Sequence, residues 1–350
     1  MVLRRCCLGD VLLTTPLLAA LDAAYPEASI TYATGRWAAA ALANNPHVDR
    51  LLELPDRWDR AAWRALVGQL RRERFDLAVI PDRSPLPALA AALAGIPRRV
   101  GLDSAGRGFA LTDRVTLRGV RHEADLALDL ARALGIAPTE RRLRYRPGTA
   151  ASERIAARVA EYRGDGPLFV IHPGGGANPG VTMESKRWPP ERFAAVADAL
   201  VSRHGGTLVL VGATSDRETV TAMRAALRHE ASDLCGALSL DELAALDALA
   251  TLYLGNDAGT THLAAACGAP VVAVFGPTDP AQYGPLDGAG EAVWDPIACG
   301  PFVQRGDLTR ATGATPAIRC IDAIDVEQVA AACERVLART QRAPSKLGQR

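Results

Sequence analysis

Apolar and polar positions along the chain follow two alternating patterns. Short apolar runs, which fit strands, are separated by longer stretches in which apolar residues recur at helical spacing. This alternation predicts βα units, and therefore parallel sheets with helices on both faces. In a first series, from residue 1 to about residue 140, the predicted strands are Val2–Leu8, Ser29–Ala33, Val48–Leu54, Leu77–Ile80 and Arg99–Leu102, and the helical runs include Leu12–Ala24 and Ala61–Glu73.

A second series of strand and helix patterns follows a polar break in the chain. Thr139–Pro147 is rich in arginine, Ala150–Tyr162 has a helical pattern, and Arg163–Pro167 carries two glycines and a proline. A domain boundary is therefore expected in this region. The second series has strands at Leu168–His172, Thr207–Gly212, Leu252–Leu254 and Val271–Phe275, and helices at Pro190–His204, Glu218–Arg228, Leu240–Ala250 and Thr260–Cys267.

Two Rossmann-like halves are the simplest organisation that fits these patterns. A chain of 350 residues exceeds the size at which a single hydrophobic core usually stops growing. We predict a first domain over residues 1–155 and a second over residues 156–325, then a helix at 326–340 and a disordered tail at 341–350. The predicted fold class is α/β, with two doubly wound sheets.

Charge and hydropathy narrow the range of partners. The 40 basic and 39 acidic side chains nearly cancel, so no global field attracts nucleic acid or an anionic membrane. No stretch approaches the roughly 20 apolar residues that a transmembrane segment needs. Met1 leads almost directly into a strand-like segment rather than a signal peptide, which favours a cytoplasmic protein.

The cysteines also indicate a reducing compartment. Their number, seven, is odd, and Cys6, Cys7, Cys235 and Cys267 lie in apolar segments without the spacing of a metal site. We therefore expect small buried thiols in a reducing compartment, and no bound metal.

The turn Leu8-Gly9-Asp10-Val11 lies between the first strand and the first helix, where open α/β sheets expose groups to a ligand. A carboxylate at this position could take a proton from an attacking hydroxyl. Asp10 could equally cap the helix, since Asp is favoured at helix N-termini and Thr14 and Thr15 follow closely. Position alone favours the cap.

A glycine loop follows the first strand of the second half. It runs from His172 to Gly176, and Lys186 stands before the first long helix. Gly174 and Gly175 together with a lysine at a helix entrance suit a phosphate, although a solvated loop explains them too. The consecutive glycines form neither a P-loop nor a dinucleotide fingerprint, which disfavours a nicotinamide dehydrogenase.

The segment Leu254–Leu263 is the most informative in the chain, because a strand ends there on small residues and a helix opens. Backbone N–H groups at such a helix start bind diphosphates. The alternatives are an N-cap role for Thr260 and a buried, hydrogen-bonded ring for His262. We prefer a binding site, because a carboxylate, two hydroxyls and a histidine converge at one strand end. Its residues are Asp257, Ala258, Gly259, Thr260, Thr261 and His262.

Two further acids, Asp216 and Glu218, follow the strand that ends at Gly212. A carboxylate in this position could accept ribose hydroxyls. Solvated acids in the first turn of a helix are an equally good explanation.

Together these segments resemble glycosyltransferase family 9, the ADP-heptose:lipopolysaccharide heptosyltransferases. The resemblance rests on four segments in the same order over nearly the whole chain: Leu8–Pro16, Lys186–Pro189, Gly255–Ala266 and Phe275–Pro280. It implies a GT-B fold, in which two Rossmann-like domains face a central cleft. The first domain would hold the acceptor and the second the nucleotide sugar.

The resemblance also implies roles for the site residues. Asp10 would be the general base of an inverting transfer rather than only a cap, with Gly9, Thr14 and Thr15 supporting the loop or the acceptor. In the second domain Lys186 would contact the donor phosphate, and the diphosphate would be bound by Thr260, Thr261 and His262. Asp257 would lie near the donor, and Glu218 or Asp216 would lie near the ribose. Ala258, where family members often carry a hydroxyl, leaves only a backbone contact.

The leaving group of such a transfer is a nucleoside diphosphate. Helix-terminal N–H groups and Lys186 can stabilise its growing charge by electrostatics alone. No D-x-D triplet occurs in the sequence, so we expect neither a metal ion nor another cofactor.

Two segments depart from the family pattern. Arg4-Arg5 replaces an apolar pair in the first strand, which suggests a weakened strand or a start further upstream. Cys299–Phe302 resembles a C-x-P-C element without its second cysteine, and only Cys320 remains nearby, so neither a metal nor a disulfide is expected there.

The implied reaction is transfer of heptose from ADP-heptose to an acceptor such as the lipopolysaccharide inner core, at the inner face of the cytoplasmic membrane. Two alternatives stay open. One is a transferase of the same fold with another nucleotide sugar and another glycan, glycolipid or small-molecule acceptor. The other is a non-catalytic GT-B protein that binds a nucleotide or a glycan, which Arg4-Arg5 and Ala258 favour and which Asp10, Lys186 and His262 oppose.

Overall fold

A computed structural model describes residues 1–178, 181–286, 290–296 and 320–342 of the chain. The chain divides into two units, Met1–Tyr145 and Arg146–Arg350. The boundary expected at residues 155 and 156 falls inside the helix Thr149–Ala160, which belongs to the second unit. That helix packs on the helix Leu240–Leu249 of the same unit, so the division comes before it.

The first unit is a doubly wound α/β domain. Its strands are β1 (Val2–Leu3), β2 (Thr31–Gly35), β3 (Arg50–Leu54), β4 (Leu77–Ile80), β5 (Arg98–Asp103) and β6 (Asp113–Thr116). Its helices are α1 (Leu8–Leu12), α2 (Thr15–Ala24), α3 (Arg36–Ala39), α4 (Arg60–Glu73), α5 (Pro85–Leu93) and α6 (Glu123–Ala133), with a 3₁₀ turn at Ala40–Leu42. The strands are parallel in the order β3-β2-β1-β4-β5-β6.

Helix α4 shows how local sequence and packing combine in this unit. Asp59 begins the helix by accepting the N–H groups of Ala61 and Ala62, each at 2.9 Å. Leu66 and Leu70, four positions apart, lie on one face and are buried in the core of the first unit. Burial of each leucine contributes about 1.5–3 kcal/mol to stability.

The beginning of the chain differs from the prediction. The strand expected over Val2–Leu8 ends at Leu3, and the helix expected over Leu12–Ala24 consists of α1 and α2. Pro16 explains the division of the helix, because it has no N–H to donate to the preceding turn and occupies the first turn of α2. The strand ends at Leu3, although the N–H of Arg4 still donates to the carbonyl of Ala33 in β2 at 3.0 Å.

The second unit repeats this architecture. Its strands are β7 (Leu168–His172), β8 (Ala177–Asn178), β9 (Val181–Thr182), β10 (Thr207–Leu210), β11 (Ala231–Asp233), β12 (Leu252–Asn256), β13 (Val271–Val274) and β14 (Gly290–Val293). Its helices are α7 (Thr149–Ala160), α8 (Pro190–His204), α9 (Arg217–Ala226), α10 (Leu240–Leu249), α11 (Gly259–Ala266), α12 (Pro280–Tyr283) and α13 (Val326–Arg342), with 3₁₀ turns at Glu184–Lys186, Thr214–Asp216 and Cys320–Ala323. The main sheet is parallel in the order β11-β10-β7-β12-β13-β14, while β8 and β9 pair antiparallel.

Both sheets therefore have the same order when each is numbered from its own first strand. The order reverses between β1 and β4 in the first unit, and between β7 and β12 in the second. Open α/β sheets bind ligands beyond the carboxyl ends of the strands at such a reversal. The predicted α/β class with two doubly wound sheets is confirmed.

The core of the second unit joins its last helix to its sheet. Trp188 is fully buried and meets Phe193 of α8 edge to face, with 5.0 Å between ring centroids. Its indole N–H donates to the carbonyl of Ile324 at 3.0 Å. Val329 and Val336 of α13 lie in the same core, so α13 is an integral part of this unit.

The cysteines follow the prediction only in part. Cys6 and Cys7 are joined by a disulfide, so the expectation of two free thiols there is wrong. Cys235 is a free buried thiol and Cys267 a free, half-buried one. Cys320 is buried. Cys299 and residues 343–350 of the predicted tail lie outside the described residues.

Across the described ranges, no helix combines the length and the apolar character that a membrane crossing requires.

Candidate active site

Polar residues gather where β7 and β12 end, on either side of the reversal in the second sheet. His172 is the last residue of β7 and Asn256 the last of β12, and both are buried. Neighbouring parallel strands end at the same edge of a sheet, so the glycine loop after β7 lies beside the start of α11.

Asn256 fixes the loops around this edge. Its side-chain amide donates to the carbonyls of Pro173 and Gly174, both at 2.9 Å, and its amide oxygen accepts the N–H of Trp188 at 2.9 Å. The side chain is 0% exposed, and both its amide nitrogen and its amide oxygen have hydrogen-bond partners, as buried polar groups require. One residue thereby ties the glycine loop and the segment before α8 to β12.

Asp216 is the second residue that holds the loops at this edge of the sheet in place. It is 3% exposed, and its two oxygens accept from Nε2 of His172 at 3.2 Å, from Nη2 of Arg187 at 3.1 Å and from the N–H groups of Gly175 and Ala213 at 3.1 and 3.0 Å. Burial alone would raise the pKa of this carboxyl, but the bonds from His172 and the two N–H groups outweigh it and lower the pKa to about 2.

These bonds bear on the prediction that Asp216 or Glu218 accepts ribose hydroxyls. Both oxygens of Asp216 are committed to the protein, so Asp216 holds the glycine loop instead of offering a free carboxylate. Glu218 is exposed in the first turn of α9, and its contact with the ribose stays a prediction.

The glycine loop is shaped by close contacts rather than by flexibility. A Cβ on Gly174 would lie 2.3 Å from Cγ of Asp216, and one on Gly175, where φ is +99°, would lie 2.8 Å from Cβ of Ala258. Only glycine fits both positions. The N–H of Gly175 is bound to Asp216 and its carbonyl to Nε of Arg187 at 2.8 Å, so this amide is not available to a phosphate, contrary to the prediction.

Lys186 and Asp257 form a partly buried ion pair, with Nζ 2.6 Å from Oδ2. Asp257 is 5% exposed, and burial opposes its ionisation, yet the charge and hydrogen bond of Lys186 together with His262 lower its pKa below the usual value. A lysine ammonium has three N–H donors, and Asp257 takes one. The pair therefore holds Lys186 beside the start of α11 with donors left for a ligand.

The first turn of α11 presents backbone donors. Its N-cap is Ala258, which has no side-chain group to cap the helix. The hydroxyl of Thr261 donates back to the carbonyl of Asn256 at 2.6 Å, and that of Thr260 bonds Nδ1 of His172 at 2.8 Å and the hydroxyl of Tyr253 at 3.1 Å. The helix start beside Lys186 is suited to a diphosphate, through backbone N–H groups more than through Thr261.

In the first unit, Asp10 lies in α1 just after β1, at the reversal of that sheet. Its Oδ1 is 2.7 Å from Nη2 of Arg4, and its Oδ2 accepts the N–H of Cys7 at 3.2 Å. The carboxylate therefore accepts the N–H of Cys7, the N-cap of α1, from the third helical position, and Asp10 is not itself the N-cap that one interpretation predicted. Its side chain is also 23% exposed, and each oxygen has a second lone pair, so it can still accept a proton.

The other predicted residues of this loop are structural. The hydroxyl of Thr14 donates to the carbonyl of Val11 at 2.7 Å and bonds the hydroxyl of Tyr32 at 2.9 Å. That of Thr15 donates to the carbonyl of Leu12 at 2.7 Å. Gly9, Thr14 and Thr15 are buried, which favours loop support between the two roles predicted for them.

The sequence interpretation assigned no role to Arg4, His172, Arg187 or Asn256. A common signal could have identified His172 and Asn256, since each is a polar residue that ends an otherwise apolar strand. Arg187 had no such signal, because its partners Gly175 and Asp216 lie in separate loops. Within the described part of the chain, no cluster of three or more His, Cys, Asp or Glu side chains is placed to hold a metal ion.

Known proteins share both the sequence and the fold. Residues 63–311 match the family described as glycosyltransferase family 9 (heptosyltransferase). The chain is 29% identical over 296 residues to lipopolysaccharide heptosyltransferase 2 of Escherichia coli (strain K12), covering 79% of this chain and 82% of that protein. It is 28% identical over 292 residues to lipooligosaccharide heptosyltransferase 2 of Haemophilus influenzae, with the same coverage.

Two solved structures resemble this one over almost their whole length. The glycosyltransferase family 9 protein from Veillonella parvula has a TM-score of 0.80 and 25% identity, covering 97% of this chain and 96% of that chain. The ADP-heptose lipopolysaccharide heptosyltransferase II of E. coli has a TM-score of 0.75 and 23% identity, covering 97% and 98%. The fold class is thus that of GT-B enzymes.

Proposed function

We propose that this chain, which belongs to glycosyltransferase family 9 and is a glycosyltransferase, transfers a heptosyl residue from ADP-heptose to an acceptor of the lipopolysaccharide inner core. The donor and acceptor are chosen from the names of its relatives, lipopolysaccharide heptosyltransferase 2 and ADP-heptose lipopolysaccharide heptosyltransferase II. The strongest structural support is the arrangement of Lys186, Asp257 and the start of α11.

The second unit would bind the donor. The diphosphate would lie at the first turn of α11, where the helix dipole and the backbone N–H groups of the helix start favour an anion, with Lys186 bound to its oxygens. Asp257 would keep Lys186 in place, and the Asn256 and Asp216 bonds would hold the surrounding loops without reorganisation. Preorganised donors of this kind lower a barrier most where charge develops.

The first unit would supply the base. As the acceptor oxygen forms its bond to the anomeric carbon, its O–H proton would pass to the carboxylate of Asp10. The bond between the anomeric carbon and the diphosphate oxygen would break, with its electron pair leaving on the nucleoside diphosphate. Attack opposite the leaving group inverts the anomeric centre. Lys186 and the α11 N–H groups would neutralise the leaving group, so the step needs no metal ion.

Nucleotide binding tests the donor half of this proposal. The purified protein is titrated calorimetrically with ADP, GDP, UDP and TDP, each with excess EDTA. We expect binding of ADP in preference to the others, unaffected by EDTA. Preference for another base would move the donor to a different nucleotide sugar, and no binding at all would favour the non-catalytic alternative.

Substitution of Asp10 tests the catalytic half. Asp10→Asn keeps the size of the side chain and removes its basicity, so we expect turnover to fall about 10²–10⁴-fold. ADP affinity should stay within about twofold of wild type, because Asp10 lies outside the donor-binding unit. Glu27→Gln, an exposed acid of the same unit, is the matched control. Normal turnover in Asp10→Asn would remove this residue from the mechanism.

A further inference from the structure

Arg4 occupies a position where the strand pattern calls for an apolar side chain. It follows β1 directly, its N–H donates to the carbonyl of Ala33 at 3.0 Å, and the residue is only 8% exposed. Burial of an arginine is costly unless its charge is paired and its N–H groups are bonded. An arginine at this position therefore needs a structural explanation.

The guanidinium is held by three groups from different segments. Nε donates to the carbonyl of Cys6 at 3.2 Å, Nη1 donates to the carbonyl of Pro81 after β4, and Nη2 meets Oδ1 of Asp10 at 2.7 Å. The two carbonyls fix the plane of the guanidinium, and the remaining nitrogen is directed at the carboxylate. A planar fork of N–H donors suits this task better than an ammonium.

Arg4 and Cys7 together constrain Asp10. Arg4 binds one carboxylate oxygen and the N–H of Cys7 binds the other at 3.2 Å, so rotation about the last side-chain bond would break one contact. Each oxygen keeps one lone pair, and the carboxylate remains partly exposed. The orientation of the Asp10 carboxylate, and with it the direction of its remaining lone pairs, is therefore fixed.

We propose that Arg4 is a positioning residue for the base, holding the carboxylate of Asp10 in the orientation in which it takes the proton of the acceptor. This inference rests on the proposed role of Asp10. Arg4 itself neither touches the reacting atoms nor transfers a proton. Its effect is to limit the orientations of Asp10 before the acceptor binds, and a misplacement near 1 Å can cost about 10²-fold in rate.

The test compares Arg4→Met and Arg4→Lys with Arg5→Met. Arg5 is the neighbouring arginine, and its guanidinium lies over the ring of Trp58 at 5.9 Å from the centroid instead of near Asp10. We expect Arg4→Met to lower kcat about 10–100-fold with ADP affinity and donor KM within twofold of wild type. Arg4→Lys should recover part of the loss, because its ammonium keeps the charge without the fork. Arg5→Met should keep normal kcat.

Controls separate this effect from misfolding and from failure of the proposed function. Circular dichroism and thermal unfolding are measured for every variant, and if Arg4→Met does not fold, Arg4→Lys with a native melting profile carries the test. Normal kcat in a folded Arg4 variant, while Asp10→Asn is inactive, overturns the positioning role alone. An active Asp10→Asn overturns the role of the base, and the inference with it. Equal losses in Arg4→Met and Arg5→Met would indicate a general effect on the loop.

Discussion

The pair Lys186–Asp257 makes a quantitative prediction that separates folding from donor binding. Lys186→Met leaves the Asp257 carboxylate, 5% exposed, without its counter-ion. Loss of one partner of a buried ion pair typically costs 3–5 kcal/mol, and the 17% exposure of the Lys186 side chain places the expected cost near the lower end, about 3 kcal/mol. For a unit of this size, that corresponds to a fall in Tm of about 6–12 °C.

The double variant Lys186→Met/Asp257→Asn should restore most of this stability, because it removes the unpaired charge. Its affinity for ADP should stay low, about 10–100-fold below wild type, because the charge-assisted bond to the diphosphate is still missing. Thermal unfolding and calorimetric titration with ADP measure the two quantities independently. Arg203→Met on α8, whose ion pair with Glu334 is 3.7 Å long and exposed, is the control and should change Tm little.

The pH dependence adds a further check. The pKa of Asp257 is lowered in the folded protein, so its ionised form contributes stability above its unfolded pKa, and this contribution is lost as pH falls through the folded value. The penalty of Lys186→Met should therefore be largest near neutral pH and shrink as the pH falls, because burial without Lys186 raises the pKa of Asp257 in the variant, which takes up its proton at a higher pH than the wild type does. A single variant as stable as wild type at pH 7, or a double variant with restored ADP affinity, would refute this reasoning.

Two other carboxylates give opposite predictions. Asp247 in α10 is fully buried, neither oxygen has a hydrogen-bond partner among the described residues, and burial raises its pKa well above the usual value. Asp247→Asn should therefore raise the free energy of unfolding by about 1–3 kcal/mol at pH 7. It should give no gain near pH 3, because the acid is protonated there in both the folded and the unfolded state. Urea denaturation at the two pH values measures this difference, and a variant less stable than wild type at pH 7 would contradict the prediction. Asp216 has a lowered pKa of about 2, so Asp216→Asn should lose about 2 kcal/mol at pH 7, with the difference from wild type narrowing as pH falls from about 4 to about 2. The same denaturation series measures it, and a difference independent of pH would be inconsistent with the hydrogen bonds described.

Hydrophobic periodicity was sufficient for most of the fold. The buried strands β4, β7 and β13 lie close to the apolar runs that predicted them, because continuous burial on both faces leaves a clear apolar signal. The edge strands β6, β11 and β14 were not predicted. Their residues are only partly buried or exposed, so their sequences carry no such signal.

Contacts between side chains of separate segments could not be predicted from the sequence. Asp216 was interpreted as a ligand for ribose because of its position after a strand, but its partners Gly175, Arg187 and His172 come from other segments. Arg4 was regarded as a weakness in the first strand for the same reason. Its contact with Asp10 depends on a turn that brings residues six positions apart together, and no periodic pattern encodes such a turn.

A transfer assay with ADP-heptose and a heptose-free lipopolysaccharide inner-core acceptor, in excess EDTA, tests the proposed reaction most directly. Product mass, ADP release and the configuration of the new linkage are measured for the wild type and for Asp10→Asn. We expect one heptose added for each ADP released, with inversion at the anomeric carbon, and about 10²–10⁴-fold slower transfer in the variant. Retention of configuration, a requirement for a divalent ion, or no transfer despite ADP-heptose binding would contradict the proposed reaction.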